Sequence, residues 1–233
     1  MGKMTVLIWQ MGRVGSVALR KSLEASQIDA RHAHYLFHDG EYYRTKKITV
    51  EEVFNPSNPW KVVSIARDPI ARNLSAFMVD LQSKINRKEH ALEPLRKRFI
   101  NYYNHDWCLN WFQNELCQIV DVFNQPFRNS QVLSNGTTDV LLLRTENLNN
   151  CAAAMNGFLN VTNFSMLYSN SAEALFKYYK QFKQYMRGRI PVPLMDKYYY
   201  SAYAQHFYTP KELIRLREFW TNPYAPEAFV SAS

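Results

Sequence analysis

Thr5-Val6-Leu7-Ile8-Trp9-Gln10-Met11-Gly12-Arg13-Val14-Gly15-Ser16 is an apolar run that ends in a basic glycine turn. The run Thr5–Trp9 fits a short strand buried on both faces, the usual state in a parallel sheet. Gly12 and Gly15 permit the left-handed backbone of a tight strand-to-helix reversal and let an anion approach the main chain. A helix opening near Ser16 leaves its first N–H groups without intrahelical acceptors, with the positive end of its dipole behind them. Arg13 adds a fixed charge and the Ser16 hydroxyl a further donor. Gly12, Arg13, Val14, Gly15, Ser16 and Val17 are therefore candidate anion-binding residues. A nucleoside-triphosphate loop would need Gly-Lys followed by Ser or Thr, the hydroxyl holding magnesium. No such tripeptide occurs, which disfavours a kinase or ATPase. The bland alternative is an ordinary βα turn whose glycines only ease the reversal.

A second turn of the same kind follows Val62-Val63-Ser64-Ile65, in the stretch Arg67-Asp68-Pro69-Ile70-Ala71-Arg72-Asn73-Leu74-Ser75-Ala76-Phe77. Asp68 before Pro69 reads as an N-cap with proline at the first helical position. Arg67 then stands at the carboxyl edge of a strand, and Ser75 lies on the helix's second turn. Ligands of open α/β sheets collect at such strand ends. Arg72 lies three residues before Ser75, so the two can share a helix face. Here the bland alternative is a capped helix with solvated arginines.

Taken in this order, the two turns resemble the 5′-phosphosulfate and 3′-phosphate elements of sulfotransferases that use 3′-phosphoadenosine 5′-phosphosulfate (PAPS). Further segments resemble the bacterial sulfotransferase-like family associated with capsular polysaccharide synthesis. They are Trp111-Phe112-Gln113-Asn114-Glu115-Leu116, Asp121-Val122-Phe123, Pro126-Phe127, Asp139 through Leu148, and Tyr203-Ala204-Gln205-His206-Phe207-Tyr208-Thr209. The likeness runs from about Thr5 to the helix closing on Trp220. It implies a P-loop-like, three-layer α/β fold with a central, mostly parallel sheet flanked by helices. It also implies PAPS as sulfate donor, adenosine 3′,5′-bisphosphate as product, and an acceptor hydroxyl on a saccharide or glycoconjugate. Arg67 and Ser75 would hold the 3′-phosphate. Arg187 and Arg189, around Gly188, match a late basic loop that covers that phosphate in several sulfotransferases; a solvated basic turn is the alternative. One departure stands out: many sulfotransferases carry lysine where Arg13 sits.

Composition bounds the rest. The 233 residues are 47% apolar, enough for one α/β domain spanning 1–233 with a sizeable core. Apolar runs such as Val140–Leu143 are too short to span a bilayer. With no charged-then-apolar leader and three cysteines (Cys108, Cys117, Cys151) lacking zinc or CxxC spacing, the expected compartment is the cytoplasm. A net charge of +8 invites anionic partners. A bisphosphorylated nucleotide is preferred to nucleic acid, since the arginines sit in defined turns instead of one basic run. Expected strands are Thr5–Trp9, Ala30–Leu36, Lys61–Ile65 and Val140–Leu143. Expected helices are Ser16–Ser26, Ile70–Ser83, a long segment Leu92–Phe123, and a C-terminal helix whose capping box is Thr209, Pro210 and Glu212. Tyr103, Trp107 and Trp111 at four-residue spacing read as one core-facing helix stripe. Phe127–Thr138 reads as a loop.

Sulfuryl transfer needs a base for the acceptor hydroxyl and donors for the charge on the leaving phosphate, and by this logic no metal. Arg13, Ser16 and the loop amides suit the second requirement. For the base, His32 and His34 alternate on the second strand and so share a face. His34 is the preferred base, at that strand's end beside the first loop. His105 is the reserve, and His38 is a further histidine at the strand's exit. Arg144 and Glu146 either pair with each other or steady the nucleotide pocket. Two other classes stay open: a metal-free nucleotide-dependent transferase of another kind, and a non-catalytic basic module for RNA or an anionic polymer.

Overall fold

The computed structural model describes residues 4–37, 48–57, 60–84, 91–167 and 179–226. His38 lies outside these residues. Contacts divide the chain into two compact units, Met1–Arg67 with Asn110–Ser169, and Asp68–Leu109 with Asn170–Ser233.

The first unit holds a five-stranded sheet in the order β2-β1-β3-β5-β4. Its strands are β1 (Thr5–Trp9), β2 (Asp29–Ala33), β3 (Lys61–Ala66), β4 (Ser130–Ser134) and β5 (Asp139–Arg144). The pairs β1–β2, β1–β3 and β3–β5 are parallel, with Leu7 opposite both Arg31 and Val62, and Val63 opposite Leu141. The α/β class with a mostly parallel sheet and flanking helices is therefore as expected. The central strands are buried apolar runs: Val6, Leu7, Ile8 and Trp9, then Val62, Val63 and Ile65, then Val140–Leu143. Helix α1 (Ser16–Ala25) connects β1 to β2.

Two sequence expectations need correction in this unit. Phe127–Thr138 is not all loop, because Ser130–Ser134 forms β4, antiparallel to β5. An edge strand is solvated along one side and need not be apolar; SQVLS has one buried residue, Leu133. The second strand ends at Ala33 rather than Leu36, so His34 sits just past the ladder.

The second unit is helical. Helices α2 (Val50–Val53, in the first unit), α3 (Pro69–Lys84) and α4 (Leu92–Tyr102) precede α5 (Trp107–Asn114), which crosses the division between Leu109 and Asn110. The expected long helix Leu92–Phe123 is thus broken: Tyr103 ends α4, and Asp106 accepts the N–H of Leu109 at the start of α5. Tyr103, Trp107 and Trp111 therefore do not form one stripe, although Tyr103 and Trp111 are both buried. Later come helices Tyr179–Met186, Val192–Tyr199, Ala202–Phe207 and Pro210–Thr221. The last starts with the expected capping box between Thr209 and Glu212.

The core of this unit is aromatic, with Phe77 meeting Phe99 at 5.5 Å and Phe182 at 5.7 Å between ring centres. Asp68 caps α3 as expected, accepting the N–H groups of Ile70 and Ala71. Its carboxylate also accepts the Tyr199 hydroxyl and the Trp220 indole N–H, each at 2.9 Å. Burial raises its pKa, while these four donors oppose the rise.

Candidate functional site

Because β1, β2, β3 and β5 run parallel, the segments that leave them emerge at one end of the sheet. The strand order turns outward from β1 to β2 on one side and to β3 on the other. Such a switch point opens a crevice beyond the carboxyl ends of the strands. Four segments of the first unit meet this description: Gln10–Ser16, His34, Arg67 and Thr145.

The loop after β1 has the backbone expected of it. Gly12, Arg13 and Gly15 take φ values of 77°, 64° and 93°. Its carbonyls are tied to the scaffold. The Arg67 guanidinium donates to the Arg13 carbonyl at 2.7 Å, and the Thr145 hydroxyl to the Val14 carbonyl at 2.7 Å. A trans peptide directs its N–H opposite its C=O. Pulling these two carbonyls toward Arg67 and Thr145 turns the amides of Val14 and Gly15 the other way, beside the opening turn of α1. Amides turned in this way can donate to an anion. Ser16 is buried at the first position of α1, while Val17 is exposed.

Gly15 cannot be replaced cheaply. A Cβ there would lie 2.6 Å from Leu148 Cδ1, at a φ few side chains accept. Gly15→Ala should destabilise the protein by about 2–4 kcal/mol, combining the left-handed penalty with overpacking that Leu148 partly relieves. Gly136→Ala is the control: its φ is 87° with nothing within 4 Å, so about 1–2 kcal/mol is expected. Denaturant midpoints would show equal losses if the Leu148 contact were unimportant.

Gln10 organises the loop and both histidines. It is fully buried. Its side-chain oxygen accepts the N–H of Gly12, which fixes the amide's orientation. The NH₂ group must then donate to His32 Nε2, 2.7 Å away. His32 is thereby neutral, in agreement with a pKa lowered to about 4 by burial, by His34 and by Arg20. Nδ1 of His34 lies 2.9 Å from the Gln10 carbonyl, well inside its 3.4 Å separation from the Gln10 side-chain nitrogen, so the carbonyl is its main partner. A carbonyl only accepts, so Nδ1 carries the proton and Nε2 is the basic atom of the neutral ring. The two rings pack edge to face at 4.4 Å, on a shared side as the alternation implied. A Cβ on Gly12 would come within 3.2 Å of His34 Cε1, so the glycine lets the imidazole rest against the loop.

The remaining sequence candidates have other surroundings. Ser75 is buried on α3 in the second unit, and Arg72 donates to Asn73 Oδ1. His105, also there, pairs Nδ1 with Asn104 Oδ1 and packs on Trp107. Arg187 is buried, not a solvated turn residue. It is 8% exposed and donates to the carbonyls of Phe219, Asn222 and Ala225, closing the end of helix Pro210–Thr221. Arg189 is exposed; it donates to the Tyr185 carbonyl and lies over that ring at 4.4 Å. Arg144 donates from Nε to Asn147. Gln10 and Thr145 were missed in the sequence; a polar residue directly after a buried strand was the available signal for each.

Among the described residues no helix is long and apolar enough to cross a membrane. No protein-family model and no curated protein sequence matches the chain.

Proposed function

We propose that this chain is a PAPS-dependent sulfotransferase acting on an acceptor hydroxyl, with a saccharide or glycoconjugate as the acceptor class implied by the sequence resemblance. The observation that carries the reading is one arrangement in the first unit. An amide-presenting glycine loop follows β1, with Arg13 in it, and a histidine with a defined basic nitrogen is packed against Gly12. Adenosine 3′,5′-bisphosphate groups would be held by the amides of Val14 to Val17, the Ser16 hydroxyl, Arg13 and Arg67. When bound, PAPS supplies a sulfuryl group whose bond to the bridging oxygen breaks as the acceptor oxygen bonds to sulfur.

The residues have separable roles in that exchange. His34 Nε2 takes the acceptor proton. Arg13 and the loop amides stabilise the negative charge that grows on the departing 5′-phosphate, as fixed donors that need no reorganisation. Gln10 holds the imidazole in the tautomer that leaves Nε2 basic. Arg67 and Thr145 keep the loop carbonyls turned from the anion.

The deciding experiment is a thermal-shift screen with adenosine 3′,5′-bisphosphate, followed by detection of that product from PAPS with saccharide acceptors. Stabilisation by the bisphosphate supports the proposal. Stabilisation by ATP with magnesium and none by the bisphosphate would select another nucleotide-dependent transferase. Salt-sensitive polymer binding with no nucleotide effect would select a basic binding module.

Arg67 gives a sharper test. Arg67→Ala removes both the tie on the Arg13 carbonyl and a charge at the strand end. Bisphosphate affinity should fall about tenfold or more, the scale of one charge-assisted bond. Adenosine 5′-phosphate should lose less, retaining only the loop effect. Equal losses by calorimetry would reduce Arg67 to a support for the loop.

A further inference from the structure

Beyond Ala33 the chain has left the sheet ladder, and its backbone groups need other partners. Two side chains from the Trp111-to-Leu116 segment supply them. The indole N–H of Trp111 donates to the His34 carbonyl at 2.7 Å. Glu115 Oε2 accepts the N–H of Leu36 at 2.7 Å and of Phe37 at 3.3 Å. Trp111 and Glu115 are four residues apart, with Glu115 N–H bonded to the Trp111 carbonyl, so they occupy one helical face. Both are buried, and Trp9 packs against Phe37 at 5.8 Å and Trp111 at 6.0 Å.

We infer that Trp111 and Glu115 are positioning residues for His34, a clamp that fixes the main chain of 34–37 so that the imidazole meets the Gln10 carbonyl through Nδ1. The inference rests on the reading of His34 as the base. A ring hydrogen bond alone fixes rotation about the side-chain torsions. It does not fix the Cα from which the ring projects. The clamp holds that point by bonding the carbonyl of His34 itself and the amides of Leu36 and Phe37. The Trp-Phe-Gln-Asn-Glu-Leu segment thereby acquires a concrete role, since its first and fifth residues deliver the histidine to the loop.

Three variants test this: Trp111→Phe, which keeps ring packing and deletes the N–H; Glu115→Ala, which deletes the acceptor; and Glu115→Gln, which restores a neutral one. The first readout is the tautomer of His34 from long-range proton–nitrogen spectra, assigned by the signal missing in His34→Ala. The wild type should show Nδ1–H. Trp111→Phe and Glu115→Ala should show mixed tautomers, and Glu115→Gln should return toward the wild-type signal. The second readout is kinetic. In the first two variants kcat should fall about tenfold, the scale of a lost hydrogen bond, with donor KM and the bisphosphate thermal shift unchanged. An unaltered His34 spectrum in folded Trp111→Phe and Glu115→Ala overturns the clamp. A changed spectrum with normal kcat overturns its role in positioning a base. Failure of the functional proposal shows separately, as absence of any bisphosphate shift in the wild type, and leaves the spectral test intact.

Discussion

His34→Ala should lower turnover by about 10²–10⁴-fold, the usual contribution of a positioned general base. Binding of adenosine 3′,5′-bisphosphate should survive, because the loop carbonyls are held by Arg67 and Thr145 and the Gly12 amide by Gln10, none through the imidazole. The acidic limb of the pH–rate profile should vanish with the ring, since protonated Nε2 cannot accept the hydroxyl proton. His32→Ala is the informative neighbour. His32 is held neutral with its Nε2 occupied by Gln10, so it cannot serve as the base in that state. Its loss should be milder, acting through Gln10. His105→Ala tests the competing residue, and near-normal turnover in His34→Ala with none in His105→Ala would transfer the role to His105.

Arg13→Ala should cost about 10²–10³-fold in kcat, the scale for removing one preorganised donor from a developing negative charge. Donor affinity should fall less. The structure makes this substitution unusually clean. Arg13 holds a φ of 64°, a strained region for any residue with a Cβ, and alanine and lysine bear the same strain. The tie from Arg67 lands on the Arg13 main-chain carbonyl, so it persists in both variants. Differences between Arg13→Ala and Arg13→Lys therefore report the side chain, its stem and its charge, and not the backbone. Lysine should recover much of the activity, as it carries the same charge without the planar fork. Full activity in Arg13→Ala would remove Arg13 from the chemistry.

Much of the fold is legible in the sequence. β1 matches its expected span residue for residue, because four buried apolar positions ahead of a glycine turn leave little ambiguity of length. The Thr209–Glu212 box and the Asp68 cap are local chemistry, and local chemistry reads well from sequence. The misses share a cause in context. β4 is an edge strand whose polar residues face no core, so nothing in SQVLS announces pairing. The break after Tyr103 comes from Asp106 starting a new helix, which competes with an otherwise continuous helical pattern. Arg187 reads as a ligand arginine beside glycine, yet besides nearby Gln184 it bonds three backbone carbonyls 32 to 38 residues later, which carry no sequence signature. Gln10 stands out only as a polar residue after a buried strand, and its role is hidden for the same reason. Its bonds to the loop and to two histidines depend on residues that arrive only when β2 pairs with β1.

The bonds of Asp68 also set a timetable for synthesis. Its carboxylate is satisfied by Tyr199, 131 residues downstream, and by Trp220, 152 residues downstream. At roughly 5–20 residues per second, a ribosome takes about 8–30 s to deliver that indole after Asp68. The five strands are complete once Arg144 has emerged, well before this. The nascent chain therefore passes through a stage in which the sheet can close while α3 still lacks Phe182 against Phe77 and carries an incompletely bonded acid at its start. A translational pause before Tyr199 would lengthen that exposure.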